Sequence, residues 1–153
     1  PYKQLTKELK INILGPEMEP GSFYSRGNWA FQRASDMGRI DVSFGGITGN
    51  KKAIAMYESL GMQCEMHVGG YGNLAILGST AEEQCEYYER GLTRPGEDRD
   101  QCPPFLNNPC DPMDDDGYVK IPQGPGLGIE FNWDYIKDNF LPDLSSKNVK
   151  FED

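Results

Sequence analysis

The sequence is poor in histidine, in positive charge and in long apolar runs, and each shortage excludes something. His67 is the only histidine in 153 residues, so any imidazole chemistry falls on that one ring. Lys and Arg number 15 against 24 Asp and Glu. The resulting formal net charge of -9 argues against a nucleic-acid partner, which would need a basic stripe. It leaves room for an anionic small substrate, because a metal ion inverts the local sign. No apolar run approaches the roughly 20 residues of a membrane span, and the first residues do not resemble a signal peptide, so no membrane partner is expected. Cys64, Cys85, Cys102 and Cys110 are widely spaced and form no C-x-x-C pair. That pattern fits reduced, packing cysteines in a cytoplasmic protein better than a disulfide framework or a zinc site.

What is present suits a soluble α/β domain. Hydrophobic residues make up 37% of the chain and aromatics 11%, and the length allows one domain with a real core. The chain begins Pro1-Tyr2 rather than with Met, so a portion of something longer is expected. Tyr2, Leu5 and Leu9 predict a short helix, and Ile11 to Leu14 a compact strand ending at Gly15-Pro16-Glu17. Trp29, Ala30, Arg33, Ala34 and Met37 suit a helix closed by Gly38, followed by a strand over Arg39 to Phe44 that carries Asp41. Thr48 is the expected cap of a helix with Ala53, Ile54, Tyr57 and Leu60 on its apolar face, ended by Gly61. A strand over Met62 to Val68 carries His67, a helical run covers Leu74 to Leu77, and Cys85 to Glu89 is a fourth strand. This alternation predicts a parallel sheet with helices outside it.

Residues 1–92 therefore read as β/α units and 93–153 as a C-terminal segment. The latter has a long loop to residue 117, a small strand at Tyr118 to Ile121, and a closing helix with Trp133, Ile136 and Phe140 capped by Asn132. The polar tail after Pro142 is expected to be loose.

Glu17, Asp41, His67 and Glu89 each fall at or near a strand end, each a little over twenty residues after the last. In a parallel sheet that spacing delivers all four to one rim, where (β/α) barrel enzymes carry their chemistry. Asp41 beside His67 makes a base whose tautomer is set by a carboxylate. Glu17 is a hard oxygen donor for a divalent cation, and Glu89, if protonated, would hydrogen-bond an oxyanion. Such a set suits removal of a proton next to a carboxylate and stabilisation of the enolate. Taken singly, each residue also has a structural reading: His67 as a satisfied strand-end residue, Asp41 and Glu17 as turn or surface carboxylates, and Glu89 as half of a surface ion pair with Arg90. The regular spacing favours the joint reading.

Asp41-Val-Ser-Phe-Gly-Gly-Ile-Thr-Gly49, Glu65-Met-His67, Tyr87-Tyr-Glu89, and Asp116-Gly-Tyr-Val-Lys-Ile-Pro-Gln-Gly-Pro-Gly-Leu-Gly128 followed by Trp133-Asp-Tyr-Ile resemble the enolase superfamily, mandelate racemase / muconate lactonizing enzyme subgroup. The likeness runs from about Leu5 to Phe140. It implies the C-terminal half, strands five to eight, of a (β/α)7β TIM-type barrel plus a C-terminal loop-and-helix segment. It further implies Mg2+ and dehydration or racemisation of a hydroxy acid or sugar acid. By position, Glu17 would be a metal ligand, Asp41 and His67 the catalytic dyad, and Glu89 the substrate-carboxylate contact. A whole barrel takes roughly 250 residues, so the N-terminal half, its remaining metal ligands and a substrate-selecting capping domain would have to come from outside this chain.

Two rivals remain. A half-barrel has open edges that recruit partners, so a catalytically silent subunit is an alternative, assembling with its complementary half or as a homo-oligomer. Gly70-Tyr-Gly72-Asn-Leu-Ala75, with Glu89 downstream, is an imperfect dinucleotide fingerprint, so a nucleotide-binding module is a further one. Asp114-Asp115-Asp116-Gly117 lacks the spacing of a calcium loop and reads as a solvated turn.

Overall fold

A computed structural model describes residues 1–17, 23–91, 93–98 and 100–141. The opening helix α1 spans Tyr2–Glu8. The next segment runs beside residues 36 and 37. Ile13 O accepts the Asp36 and Met37 N–H groups at 2.8 and 3.2 Å, Gly15 N–H donates to Met37 O at 3.1 Å, and Leu14 and Met37 form a parallel bridge. This bridge replaces the strand expected over Ile11 to Leu14, because the Asp36 carboxylate takes the Ile13 N–H at 2.8 Å and ends the ladder there.

Helix α2 spans Phe23–Phe31, earlier than the expected Trp29 to Met37. It is stopped by Arg33, not Gly38. Arg33 takes a left-handed φ of 50°, its N–H donates to Ala30 O, and the Ala34 N–H donates to Trp29 O, both at 3.0 Å. These are the two bonds of a helix C-terminus that usually employs glycine. Gly38 instead opens strand β1 (Gly38–Ile40), where a Cβ would lie 2.3 Å from the Tyr57 ring.

Strand β1 pairs in parallel with β2 (Cys64–Met66), with Arg39 opposite Glu65. Both strands are shorter than expected. β1 stops where Asp41 turns the chain: its side chain takes the Ser43 N–H and its carbonyl the Phe44 N–H. β2 stops before Val68, whose φ of 51° lies outside any strand. Ile40, Cys64 and Met66 point to one side of the sheet and are essentially dry. There they meet Ala30, Ala53, Ile54, Tyr57 and Ile76 from the helices, forming the core. By strand alternation Arg39, Asp41, Glu65 and His67 share the opposite face.

Helix α3 spans Gly46–Ser59 with Gly45 at its N-cap, φ 115°, and no side-chain cap. Thr48 therefore lies inside the first turn and is not the cap. Gly61, φ 63°, follows its end as expected. Helix α4 spans Tyr71–Leu77, three residues longer at its start than the expected run. A Cβ on Gly72 would come within 2.9 Å of Val42, so α4 sits tightly on the turn after β1.

Cys85 to Glu89 does not form the expected fourth strand. The Cys85 N–H stays with Ala81 O in the preceding turn, and the Tyr87 N–H meets the Glu65 carboxylate. Those backbone donors are lost to a ladder, although Cys64 N–H still reaches Gln84 O at 2.9 Å and keeps the segment beside β2. Tyr118 to Ile121 reduces to one antiparallel bridge, Met113 to Val119. Helix α5 (Trp133–Asp138) has the expected cap: Asn132 Oδ1 accepts the Tyr135 N–H at 3.1 Å. Leu92, at the expected segment boundary, and the tail after Pro142 lie outside the described residues. No described helix is long and apolar enough to cross a membrane.

Candidate active site

The parallel pairing of β1 and β2 sets Asp41 and His67 side by side, each the first residue beyond its strand. His67 N–H continues the ladder to Ile40 O at 2.7 Å. His67 Nδ1 then lies 2.8 Å from Asp41 Oδ2. Asp41 is 2% exposed, and its surroundings explain how a carboxylate persists there. Burial disfavours its charge most strongly, but the Ser43 backbone N–H, the His67 ring and further bonds outweigh it and hold the carboxyl below its ordinary range. An ionised Asp41 accepts only, so the neutral ring carries its proton on Nδ1 and leaves Nε2 as the basic nitrogen.

Nε2 faces Glu17, whose Oε1 is 3.2 Å away. Both ring nitrogens thus meet carboxylate oxygens: a charged imidazolium donates twice here, the neutral ring once. Glu17 is half exposed and also lies near Arg39, with Nε to Oε2 at 3.8 Å. Glu89 completes the group. Arg39 donates to its Oε2, and the same oxygen accepts the Val68 N–H at 2.9 Å. All four positions singled out in the sequence therefore converge around His67 and Arg39.

Three contributors went unnoticed in the sequence. Arg39 links Glu17 and Glu89, and its inward place follows from sharing strand parity with Asp41. Asn50, fully buried, accepts the Asp41 N–H at 3.2 Å and donates to Asp41 O at 2.7 Å. Asn73, 1% exposed, accepts the Val42 N–H at 2.9 Å and donates to His67 O and Val68 O at 2.9 and 3.1 Å. It ties the two strand ends together. Asn73 lies within the Gly70 to Ala75 pattern, so that turn's polar side chain is already committed to the chain's own backbone.

Arg39, Glu65, Glu86, Tyr87 and Glu89 help to line an open hollow of about 390 Å³. Burial raises the Glu65 carboxyl above its ordinary range, against the pull of the Tyr87 N–H. Glu17 has the oxygen chemistry magnesium favours, but the described residues contain no group of three His, Cys, Asp or Glu able to hold an ion. They do not by themselves fit a magnesium site. Cys64 and Cys85 are core thiols, and none of the four cysteines forms a disulfide.

Residues 1–135 match the family described as "Enolase C-terminal domain-like". The chain belongs to the enolase superfamily, and its relatives lie in the mandelate racemase / muconate lactonizing enzyme subgroup, so the α/β fold is that of the C-terminal part of a TIM-barrel enzyme. Among solved structures it is similar to D-glucarate dehydratase from Agrobacterium tumefaciens complexed with magnesium, at 37% identity and a TM-score of 0.84, covering 90% of this chain and 36% of that one. It shares its fold with a putative mandelate racemase/muconate lactonizing enzyme from Pseudovibrio sp. (21% identity, TM-score 0.74, 90% and 36% covered). The same holds for 2-chloromuconate cycloisomerase from Rhodococcus opacus 1CP (18%, 0.67, 90% and 37%). The chain thus spans a little over a third of the length of these proteins. No curated protein matches its sequence.

Proposed function

We propose that this chain supplies the base-bearing portion of a magnesium-dependent enzyme that removes the proton alpha to a carboxylate, most simply an acid-sugar dehydratase, with racemisation the nearest alternative. The observation that carries the reading is the 2.8 Å contact of His67 Nδ1 with buried Asp41 at the ends of adjacent parallel strands. Similarity to a glucarate dehydratase supports a sugar acid as substrate.

His67 Nε2 takes the Cα proton, and the C–H electron pair passes into the enolate. Asp41 stabilises the imidazolium that forms without itself becoming protonated. The ring then returns its proton to a departing β-hydroxyl, which leaves as water, giving an enol that relaxes to a keto acid. Glu17 now fills the space facing Nε2 and has to swing aside before a C–H bond can enter. Its half-exposed side chain allows that movement. Glu89, with Oε2 held by Arg39 and the Val68 N–H, would contact the substrate carboxylate through Oε1 only when that oxygen carries a proton.

Magnesium dependence is proposed from the oxygen chemistry of Glu17 and the magnesium complex of the similar dehydratase. The other ligands, the complementary half-barrel and a capping domain would be supplied from outside these residues, with 1–92 furnishing the β/α units and 93–153 the closing segment. A cytoplasmic setting and association with a partner or a second copy belong to the same proposal. A second reading, a silent half-barrel subunit, is favoured by the open hollow and by the lack of a complete ligand group among the described residues.

The test is a panel of sugar acids and hydroxy acids assayed with magnesium, using this chain alone and this chain combined with a complementary N-terminal portion. Keto-acid formation that is lost in His67→Asn supports the enzyme. Full turnover by that variant would remove His67 from the reaction.

A further inference from the structure

Val68, immediately after His67, has a φ of 51°. A β-branched residue in the left-handed region is a true outlier, and such strain persists only where surrounding contacts over-determine it. Two side chains hold this turn. Asn73 donates to the carbonyls of His67 and Val68, and Glu89 Oε2 accepts the Val68 N–H at 2.9 Å.

Glu89 comes from the segment that fails to complete a strand, so its backbone alone does not place it firmly. Arg39 does. Rooted in β1 with a side chain only 12% exposed, it donates to the same Oε2 that holds Val68. The contacts form one path: β1, Arg39, Glu89, the Val68 N–H, and the peptide that sets where the imidazole points.

We propose that Arg39 and Glu89 are positioning residues for His67, acting together through the left-handed turn at Val68. Glu89 Oε2 thereby has a task independent of any substrate. The purpose of the device rests on the reading of His67 as the base; its geometry does not.

Because the chain has one histidine, its imidazole can be read without ambiguity. Long-range proton–nitrogen spectra of the ¹⁵N-labelled chain should show one ring, with the Nδ1 proton held by Asp41 and slow to exchange. In Arg39→Gln and Glu89→Ala that proton should exchange faster, by roughly fivefold or more, the population change implied by strain of this size. Adding Val68→Gly to Glu89→Ala should restore slow exchange, since glycine adopts positive φ without penalty. A role confined to touching substrate predicts neither the loss nor the rescue. An unchanged resonance in Glu89→Ala, or no recovery in the double variant, overturns the proposal.

Should Glu89→Ala not fold, Val68→Gly alone decides: a raised Tm supports a strained turn, and a lowered one refutes it. Failure of the functional reading would appear instead as absent turnover in the parent while the faster exchange in Glu89→Ala and its rescue by Val68→Gly are still observed.

Discussion

Replacing Asn73 with alanine should cost measurable stability, because this one side chain clamps the two strand ends together. The side chain is 1% exposed and makes three hydrogen bonds, all to main-chain groups at the ends of β1 and β2. Alanine would leave the Val42 N–H and the carbonyls of His67 and Val68 without these partners. An orphaned buried group costs about 1–3 kcal/mol; these three bonds are only partly buried and water reaches some of their backbone partners, so a total loss of about 1–3 kcal/mol is expected, out of a typical total of about 5–15 kcal/mol. Asn73→Asp tests the same geometry at constant shape. It puts an acceptor where Nδ2 now meets two carbonyl oxygens, and should be at least as damaging. Urea unfolding followed by tryptophan fluorescence, with the m-value checked for constancy, gives the difference. A loss below about 1 kcal/mol in Asn73→Ala would show that water replaces the amide freely and that the strand ends are not clamped as described.

Further outcomes follow from the packing and the charges. Gly38→Ala puts a Cβ 2.3 Å from the Tyr57 ring and should destabilise by about 1–3 kcal/mol, measured as a lower urea midpoint. Gly72→Val should lose thermal stability through its crowding of Val42, with calorimetry showing no NAD or ATP binding in the parent chain to be lost. Asp41 has a folded-state pKa below its ordinary 3.8, so it contributes stability above about pH 4 that disappears as pH falls through the folded value. Asp41→Asn should flatten that acid limb of a stability–pH curve. Glu65 has the opposite sign: raised above 4.5 by burial, its charged form opposes folding at neutral pH, and Glu65→Gln should raise the urea midpoint at pH 7.

The rim was legible because strand period and β/α spacing are written in the sequence: Glu17, Asp41, His67 and Glu89 recur about once per unit, and the structure gathers them. The Asn132 cap was legible for a similar reason, since capping needs only local chemistry. What escaped depended on side chains replacing backbone in the ladder. Asp36 takes the Ile13 N–H and Glu65 meets the Tyr87 N–H, so two expected strands thin to bridges or irregular chain. Neither substitution has a periodic signal. Arg33 stops α2 in a conformation normally assigned to glycine, which drew the expected boundary on to Gly38. Asn50 and Asn73 are buried polar residues on helices, positions where polarity alone suggests a solvent face. Their partners are main-chain groups at the strand ends, several only five to nine residues away, but the pairing exists only once the helices fold back onto the sheet.

The most direct measurement is solvent-deuterium exchange at the alpha carbon of a sugar acid. It would use a complete protein containing this chain, with magnesium, and compare the parent with His67→Asn. Exchange should fall by roughly 10²–10⁴-fold, the usual contribution of a positioned general base. Undiminished exchange in the variant would contradict His67 as the base.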